Sequence, residues 1–544
     1  MAEDLSLSKG VFMRVLEVFL VALVLSGVAR AAETPVSFSQ ESYKDYVKTL
    51  ASDHFEGRGP MTEGEERTVS YLVEELKKLG VQPGYQGDFI QTVPMASIAA
   101  SQDMQLDIGE LSFEPGTDFV SRTQKMTKLT ELNDSEVVFV GYGIDAPEYG
   151  WNDYADMDVK GKTLIMLVND PGYATQDESV FRGNAMTYYG RWTYKYEEAI
   201  RRGASGVFIV HETGAAGYPW SVVESGATGS KYMLVDDTGN ENELEAMGWI
   251  QSKTAEQIFA SVDLDFTQLK AAAAKPGFKP MTLGVKANLR TTHWNKMGES
   301  KNVVGVIPGT SRKDEYLLLT AHWDAFGKKV GVKGDNIFNG AVDNASGVAG
   351  VLELARMLSE REEPLQRSVL IAFFTAEETG LLGAFAFAQQ PPVPTRQMVG
   401  LFNIDSMNLA GATDYVLKYG DGLQELEDWL EDAAAGQGRR VKPDANPQNG
   451  LFFRSDHFAL AQQGVPGLLF MDLGDSDPEY IANRYHKPAD EFLESWQYSG
   501  VKNDLNLIYS LLDKLGNSDA WPGWKEGAEF KHIRQSDLSR PTGN

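Results

Sequence analysis

Seven histidines and no cysteine are the whole supply of nitrogen and sulfur metal donors in this 544-residue sequence. The absence of cysteine removes disulfides, thiolate metal sites and cysteine nucleophiles together. Any zinc, copper or iron site must therefore be built from imidazole and carboxylate. Two of the histidines stand in suggestive company. Ala321-His322-Trp323-Asp324 follows one apolar run, and Asn339-Gly340-Ala341-Val342-Asp343-Asn344 precedes a helical pattern. Thr375-Ala376-Glu377-Glu378-Thr379-Gly380 follows a second apolar run and Asn403-Ile404-Asp405-Ser406 ends a third. Tyr485-His486-Lys487-Pro488-Ala489-Asp490 comes after a fourth.

Each piece has a plain explanation when taken singly. Glu377-Glu378 could be a solvated acidic pair, Asp405 a helix cap and His322 a buried histidine. Asp343 with Asn344 and Ser346 could simply begin a helix. All of them falling at strand ends would need those coincidences separately. A dication held by nitrogen and oxygen donors accounts for the set at once. Two zinc ions, about 3.5–4 Å apart, can share a bridging carboxylate and a bridging water. Two histidines and three carboxylates complete such a site, leaving one glutamate as a general base. Adjacent side chains cannot easily face one metal, so Glu377 and Glu378 divide the two jobs. Asp324, two residues from His322, is placed to accept the other ring N–H and fix the tautomer.

The elements that must position these residues alternate strand, loop and helix beyond Asn302. Strands are expected at 316–320, 368–374, 399–404 and 467–471, and helices at about 346–359, 380–389 and 423–435. This pattern predicts an α/β fold with a mixed, largely parallel sheet flanked by helices, whose function collects at the carboxyl ends of the strands. Residues 38–79 read as helical, with Gly80 as a stop. Residues 102–290 differ: short Val/Ile-rich strands, such as 136–140, 163–168 and 206–210, are separated by Gly, Asp, Asn and Pro. The stretch after about Gly516 is polar and weakly patterned.

The order His-x-Asp, Asn-Gly-Ala-x-Asp-Asn-Ala-Ser-Gly, Ala-Glu-Glu-x-Gly, Asp, Tyr-His resembles the co-catalytic di-zinc exopeptidase family, which includes bacterial leucyl aminopeptidase, aminopeptidase Y and glutamate carboxypeptidase. The resemblance runs from about Asn302 to Glu491 and extends to Leu50–Pro60, with its Glu-Gly-Arg-Gly. It implies that His322 and Asp405 bind one Zn2+, Glu378 and His486 the other, and that Asp343 bridges them. It further implies Glu377 as general base, Tyr485 as donor to the oxyanion, and a cis peptide at Asp343-Asn344. Lys160-Gly161-Lys162-Thr163 and Gly203 to Val210 resemble a protease-associated domain, which in that family covers or restricts the active site. The expected division is 1–31 signal peptide, 32–101 first part of the peptidase domain, 102–290 inserted β-rich protease-associated domain, 291–516 catalytic part and 517–544 C-terminal tail.

Charge and targeting narrow the partners. The formal charge is −27, which opposes nucleic-acid binding by phosphate neutralisation. Val18 to Leu25 is an apolar run preceded by Lys9 and Arg14 and followed by Ala29-Arg30-Ala31. That order is a secretory signal cleaved after Ala31, and it falls short of the ~20 apolar residues a spanning helix needs. The expectation is an exported protein, periplasmic or extracellular, without a stable membrane span and acting on peptides. An aminopeptidase is the leading reading. A glutamate carboxypeptidase-type enzyme using Lys328, Lys329, Lys333 or Arg454, a glutaminyl cyclase, and a binding protein on the same scaffold are the alternatives.

Overall fold

A computed structural model describes residues 36–329, 331 and 333–539. The expected signal peptide, 1–31, lies outside the described residues. Two amphipathic helices open the fold. In Gln40–Leu50 the Ser39 hydroxyl accepts from the Ser42 N–H, and in Glu63–Lys78 the Thr62 hydroxyl accepts from the Gly64 N–H. The second helix carries Glu63, Glu65 and Glu66 in its first turn and Lys77 and Lys78 in its last, which suits the helix dipole at both ends.

Five strands frame the site, in the order Gly467–Phe470, Met398–Ile404, Arg312–His322, Arg367–Phe374 and Met281–Ile307. The first four are mutually parallel and the last is antiparallel to its neighbour. Arg367–Phe374 and Met398–Ile404 are buried at every position, as expected for strands covered on both faces. Helices Gly347–Ser359, Leu382–Gln389, Leu426–Gly436 and Ser499–Gly516 flank this sheet.

Met281–Ile307 is a single 27-residue strand. Its first half pairs with Leu129–Phe139, from Met281↔Phe139 to Thr292↔Leu129, with register shifts on the way. Its second half pairs with Ile90–Ala100, from His293↔Ala100 to Val303↔Ile90. The division expected at residue 290 therefore lies inside a continuous strand. Beyond it the sheet continues through Leu129–Phe139, Thr163–Leu167, Gly206–His211, Ala246–Gln251 and Phe119–Arg122. This part also contains helices, including Trp192–Arg201 and Ser252–Ala260, and has its own core around Phe119, Phe139, Phe208 and Phe259.

The inserted part also touches the strand-end region through the turn at Tyr188. The Tyr188 ring lies 5.4 Å from that of Phe458 and 5.6 Å from that of Phe530, and Gln462 donates to its hydroxyl at 2.8 Å. The Met186 N–H donates to the Pro447 carbonyl at 3.1 Å. The chain after Gly516 is more ordered than its composition suggests. Trp524, Ala528 and Phe530 join the core, the Trp524 indole donates to Gly464 O at 2.8 Å, and Lys531–Ser539 is helical. Among the described residues no helix is long and apolar enough to cross a membrane.

Candidate metal centre at the strand ends

His322 is the last residue of its strand, and the neighbouring Trp323 fixes the exit by donating its indole N–H to Lys301 O at 2.9 Å. Asp405 follows Met398–Ile404, and its own N–H donates to Phe470 O at 2.9 Å. Glu377 and Glu378 lie just past Arg367–Phe374, after Ala376 takes a left-handed φ of 54°. Asp343 sits in the irregular turn Ala341–Ser346, and the Asp343-Asn344 peptide is cis. Gly340 opens that turn at φ 52°, where a Cβ would stand 2.3 Å from Asp343 O and 2.9 Å from the Arg58 guanidinium. No side chain fits there.

Three polar residues tie this turn to its surroundings. Asn344 donates to Ile404 O at 2.9 Å and accepts from the Ser406 N–H at 3.1 Å. Ser346 accepts from the Met407 N–H at 2.9 Å. Asp490 accepts from the Val342 and Asp343 N–H groups, each at 3.1 Å at closest. The turn is thereby held against the Asp405 strand end on one side and the His486 loop on the other.

The result is a pair of imidazoles joined by one carboxylate. Asp343 places Oδ1 3.2 Å from His322 Nε2 and Oδ2 3.4 Å from His486 Nε2. His322 Nε2 is also 3.5 Å from Asp405 and 3.9 Å from Glu377, while His486 Nε2 is 3.2 Å from Glu378. Two groups capable of holding an ion emerge: His322, Glu377 and Asp405, and Asp343, Glu378 and His486. Tyr485 stacks on His486 with ring centroids 3.7 Å apart. All the residues singled out at strand ends thus converge on one place.

Asp324 behaves differently from its expected part. Its carboxylate is 3.6 Å from His322 Nδ1, and its backbone carbonyl is nearer, at 3.2 Å. The carboxylate instead accepts from the N–H groups of Glu377 at 3.0 Å and Glu378 at 3.4 Å. It therefore braces the glutamate loop as much as the histidine. Spacing along the chain could not reveal this, because the two glutamates arrive from another strand.

The electrostatics reflect crowding of acids. Burial raises the Glu377 carboxyl well above its usual range, and repulsion from Asp405, Asp456 and Glu378 adds to this against the pull of His322. Burial and Asp343 push Glu378 up to about 7. Burial alone would lower both imidazoles. The carboxylates outweigh it, holding His322 well above its ordinary value and His486 at about 10. Burial, then Asp343 and Glu378, keep the Tyr485 hydroxyl protonated far above neutrality. His322 Nε2 is buried and makes no well-formed hydrogen bond. A buried ring nitrogen without a hydrogen-bond partner, amid carboxylate oxygens and no sulfur, suits a divalent cation with borderline preference such as zinc, which would take the place of the proton.

Other histidines have different surroundings. His211 meets Tyr218 O at 3.0 Å and His293 meets Thr130 at 2.9 Å. His457, beside the strand ends in sequence, is fully buried edge-on to Phe452 and belongs to neither group. Its neighbour Ser455 is the more consequential: the hydroxyl donates to Asp405 at 2.7 Å. Nothing in the local order Ser455-Asp456-His457 marks the serine as the residue that meets the site.

Residues 302–507 match the model of Peptidase family M28. A probable zinc metalloprotease of Pyrenophora teres f. teres is 34% identical over 113 residues, which is 21% of this chain and 23% of that protein. Aminopeptidase YwaD of Bacillus subtilis is 26% identical over 216 residues, 39% of this chain and 42% of that protein. The chain thus spans about a quarter of the first of these curated relatives, and under half of the second. Among solved structures, an aminopeptidase from Aneurinibacillus sp. strain AM-1 is 20% identical, with TM-score 0.48 and coverage of 90% of this chain and 95% of that one.

Proposed function

With a peptidase family M28 domain over residues 302–507, we propose that the protein is an exported zinc-dependent exopeptidase, and specifically an aminopeptidase that uses two Zn2+. The observation that carries this reading is Asp343 facing His322 with one oxygen and His486 with the other, at 3.2 and 3.4 Å. Asp405 completes the His322 side and Glu378 the His486 side. Bound there, the two cations would supply Lewis-acid activation of a water and of the scissile carbonyl.

The protein's own groups do the rest. Glu377 takes the proton from the attacking water and returns it to the leaving amine, a role suited to a carboxyl that burial holds well above its usual range. Asp324 fixes the backbone of that glutamate through its N–H. The Tyr485 hydroxyl, protonated at neutral pH, donates to the oxygen that gains charge. The surplus of carboxylates complements a free α-ammonium better than a substrate carboxylate, which favours cleavage at the amino end. The inserted part, resting against Phe458 and Phe530 through Tyr188, would wall the cleft and limit entry to chain ends.

The test compares amino-acid nitroanilides with N-blocked peptides, with and without chelator. Cleavage confined to free-amine substrates and abolished by chelation is expected. Release of ammonia with ring closure of N-terminal glutamine would instead identify a cyclase. Glu377→Gln should keep its zinc and lose turnover by about 10²–10⁴-fold; retained turnover would remove Glu377 from the role of base.

A further inference from the structure

A buried cation with no acidic partner stands behind the site. Arg58 is completely buried and forms no salt bridge among the described residues. Its guanidinium instead donates to four backbone carbonyls: Nε to Trp323 at 2.8 Å, Nη1 to Leu50 at 2.8 Å and to Asn339 at 2.5 Å, and Nη2 to Gly340 at 2.8 Å. These carbonyls belong to three separate stretches. Trp323 follows His322, Asn339 and Gly340 open the turn that carries Asp343, and Leu50 ends the first helix. The backbone that delivers Arg58 is itself unusual. Glu56, Gly57 and Arg58 are consecutively left-handed, at φ 47°, 66° and 48°. A Cβ on Gly57 would lie 2.6 Å from Phe338 O. Left-handed conformations cost non-glycine residues free energy and persist where the surroundings impose them.

We propose that Arg58 is a positioning residue for the metal centre: its guanidinium locks the bridging-aspartate turn to the His322 strand end and supplies the internal positive charge that lets the acidic site assemble before any cation binds. The inference rests on reading the two ligand groups as a zinc site. Charge alone would not do this. A guanidinium offers five donors in a fixed planar fork, whereas an ammonium is a point charge with three donors and cannot reach the same four carbonyls. Burial lowers the Arg58 pKa only to about 10, with Asp324, Asp490, Asp343 and Glu378 favouring the charged form, so the cation survives at neutral pH. Without it the carbonyls of Leu50, Trp323 and Asn339 would lose their donor at a cost, while Gly340 O would keep the Ala345 N–H at 3.0 Å.

The full-length protein is stripped with chelator, and zinc alone is titrated into wild type, Arg58→Lys and Arg58→Ala by competition with a chromophoric chelator, alongside far-UV circular dichroism. Both variants should keep the wild-type spectrum and bind zinc at least ~10-fold more weakly, the scale seen when a ligand's supporting partner is lost. Guanidinium chloride at low millimolar concentration should restore affinity in Arg58→Ala, while equal ammonium chloride should not. A general packing role would not produce that selectivity. Folded variants with wild-type zinc affinity would overturn the proposal. In case neither variant folds, amide exchange on metal-free wild type decides the matter: the amides of Ala341 and Ala345 should stay protected, and their loss of protection would refute preassembly. Wild type that binds no zinc would overturn the reading of the site itself, and this inference with it.

Discussion

The Ser455 hydroxyl donates to Asp405 Oδ2 at 2.7 Å, leaving Oδ1 to face His322 at 3.5 Å. Ser455 in turn accepts from the Asn403 amide at 2.8 Å. The carboxylate is thus oriented by a hydroxyl that is itself fixed. Ser455→Ala is expected to weaken one of two zinc sites by about 10–100-fold and spare the other, because Glu378 and His486 do not contact it. Zinc content after graded dialysis checks this. Loss of both ions in parallel, or of neither, would contradict the arrangement.

Tyr485 lies on His486 and keeps its proton through neutral pH. The hydrogen bond proposed from its hydroxyl to the developing oxyanion should matter in the transition state more than in substrate binding. Tyr485→Phe is therefore expected to lower kcat by about 10²–10³-fold with KM within a fewfold of wild type. Steady-state kinetics on a nitroanilide substrate supply both numbers. A change confined to KM would assign the hydroxyl to binding.

The rim of the sheet was legible because its residues obey two rules at once. Apolar runs marked His322, Glu377 and Asp405 as strand-end residues, and an open parallel sheet brings such ends together. What stayed hidden depends on contacts without a local signature. Arg58 binds carbonyls, and any residue has a carbonyl. The partners of Asp324 lie on a loop from another strand. Trp524 and Phe530 are too widely spaced to suggest a helix or strand, yet they pack into the core. The long strand Met281–Ile307 changes partners midway, and the exposed polar residues around its middle disguise its continuity.

Acid sensitivity should have an identifiable source in His457. Burial pulls this imidazole down to about 3, against an ordinary value near 6.5 in the unfolded chain. Between those values the unfolded protein binds a proton that the native protein refuses, so stability falls as pH drops from ~6.5 toward 3. His457→Leu removes that linkage. It should match or exceed wild-type stability at pH 7 and lose less on acidification. Urea midpoints at pH 7 and 5 test the claim; equal pH dependence in the two proteins would defeat it.

Tyr188 anchors the inserted part against the core packed on the sheet, touching Phe453, Phe458 and Phe530 while its hydroxyl donates to half-buried Glu197. Tyr188→Ala should cost less than the about 3–5 kcal/mol usual for a fully buried aromatic side chain, because this ring is only partly buried. Tyr188→Phe should cost less still, about 1 kcal/mol, by leaving the half-buried Glu197 carboxylate short of a donor. Denaturant unfolding of both variants separates packing from hydrogen bonding. Equal losses would mean that the hydroxyl carries the contact.

The unbroken strand Met281–Ile307 has a mechanical consequence. An inserted part joined by loops could swing as a rigid flap, whereas this one is carried on a beam laced by backbone hydrogen bonds on both halves. Moving it against the rest of the sheet would require bending or twisting that beam over many residues, a stiff and distributed deformation. Relative motion of the two parts is therefore resisted by an elastic property of the scaffold rather than released at a hinge.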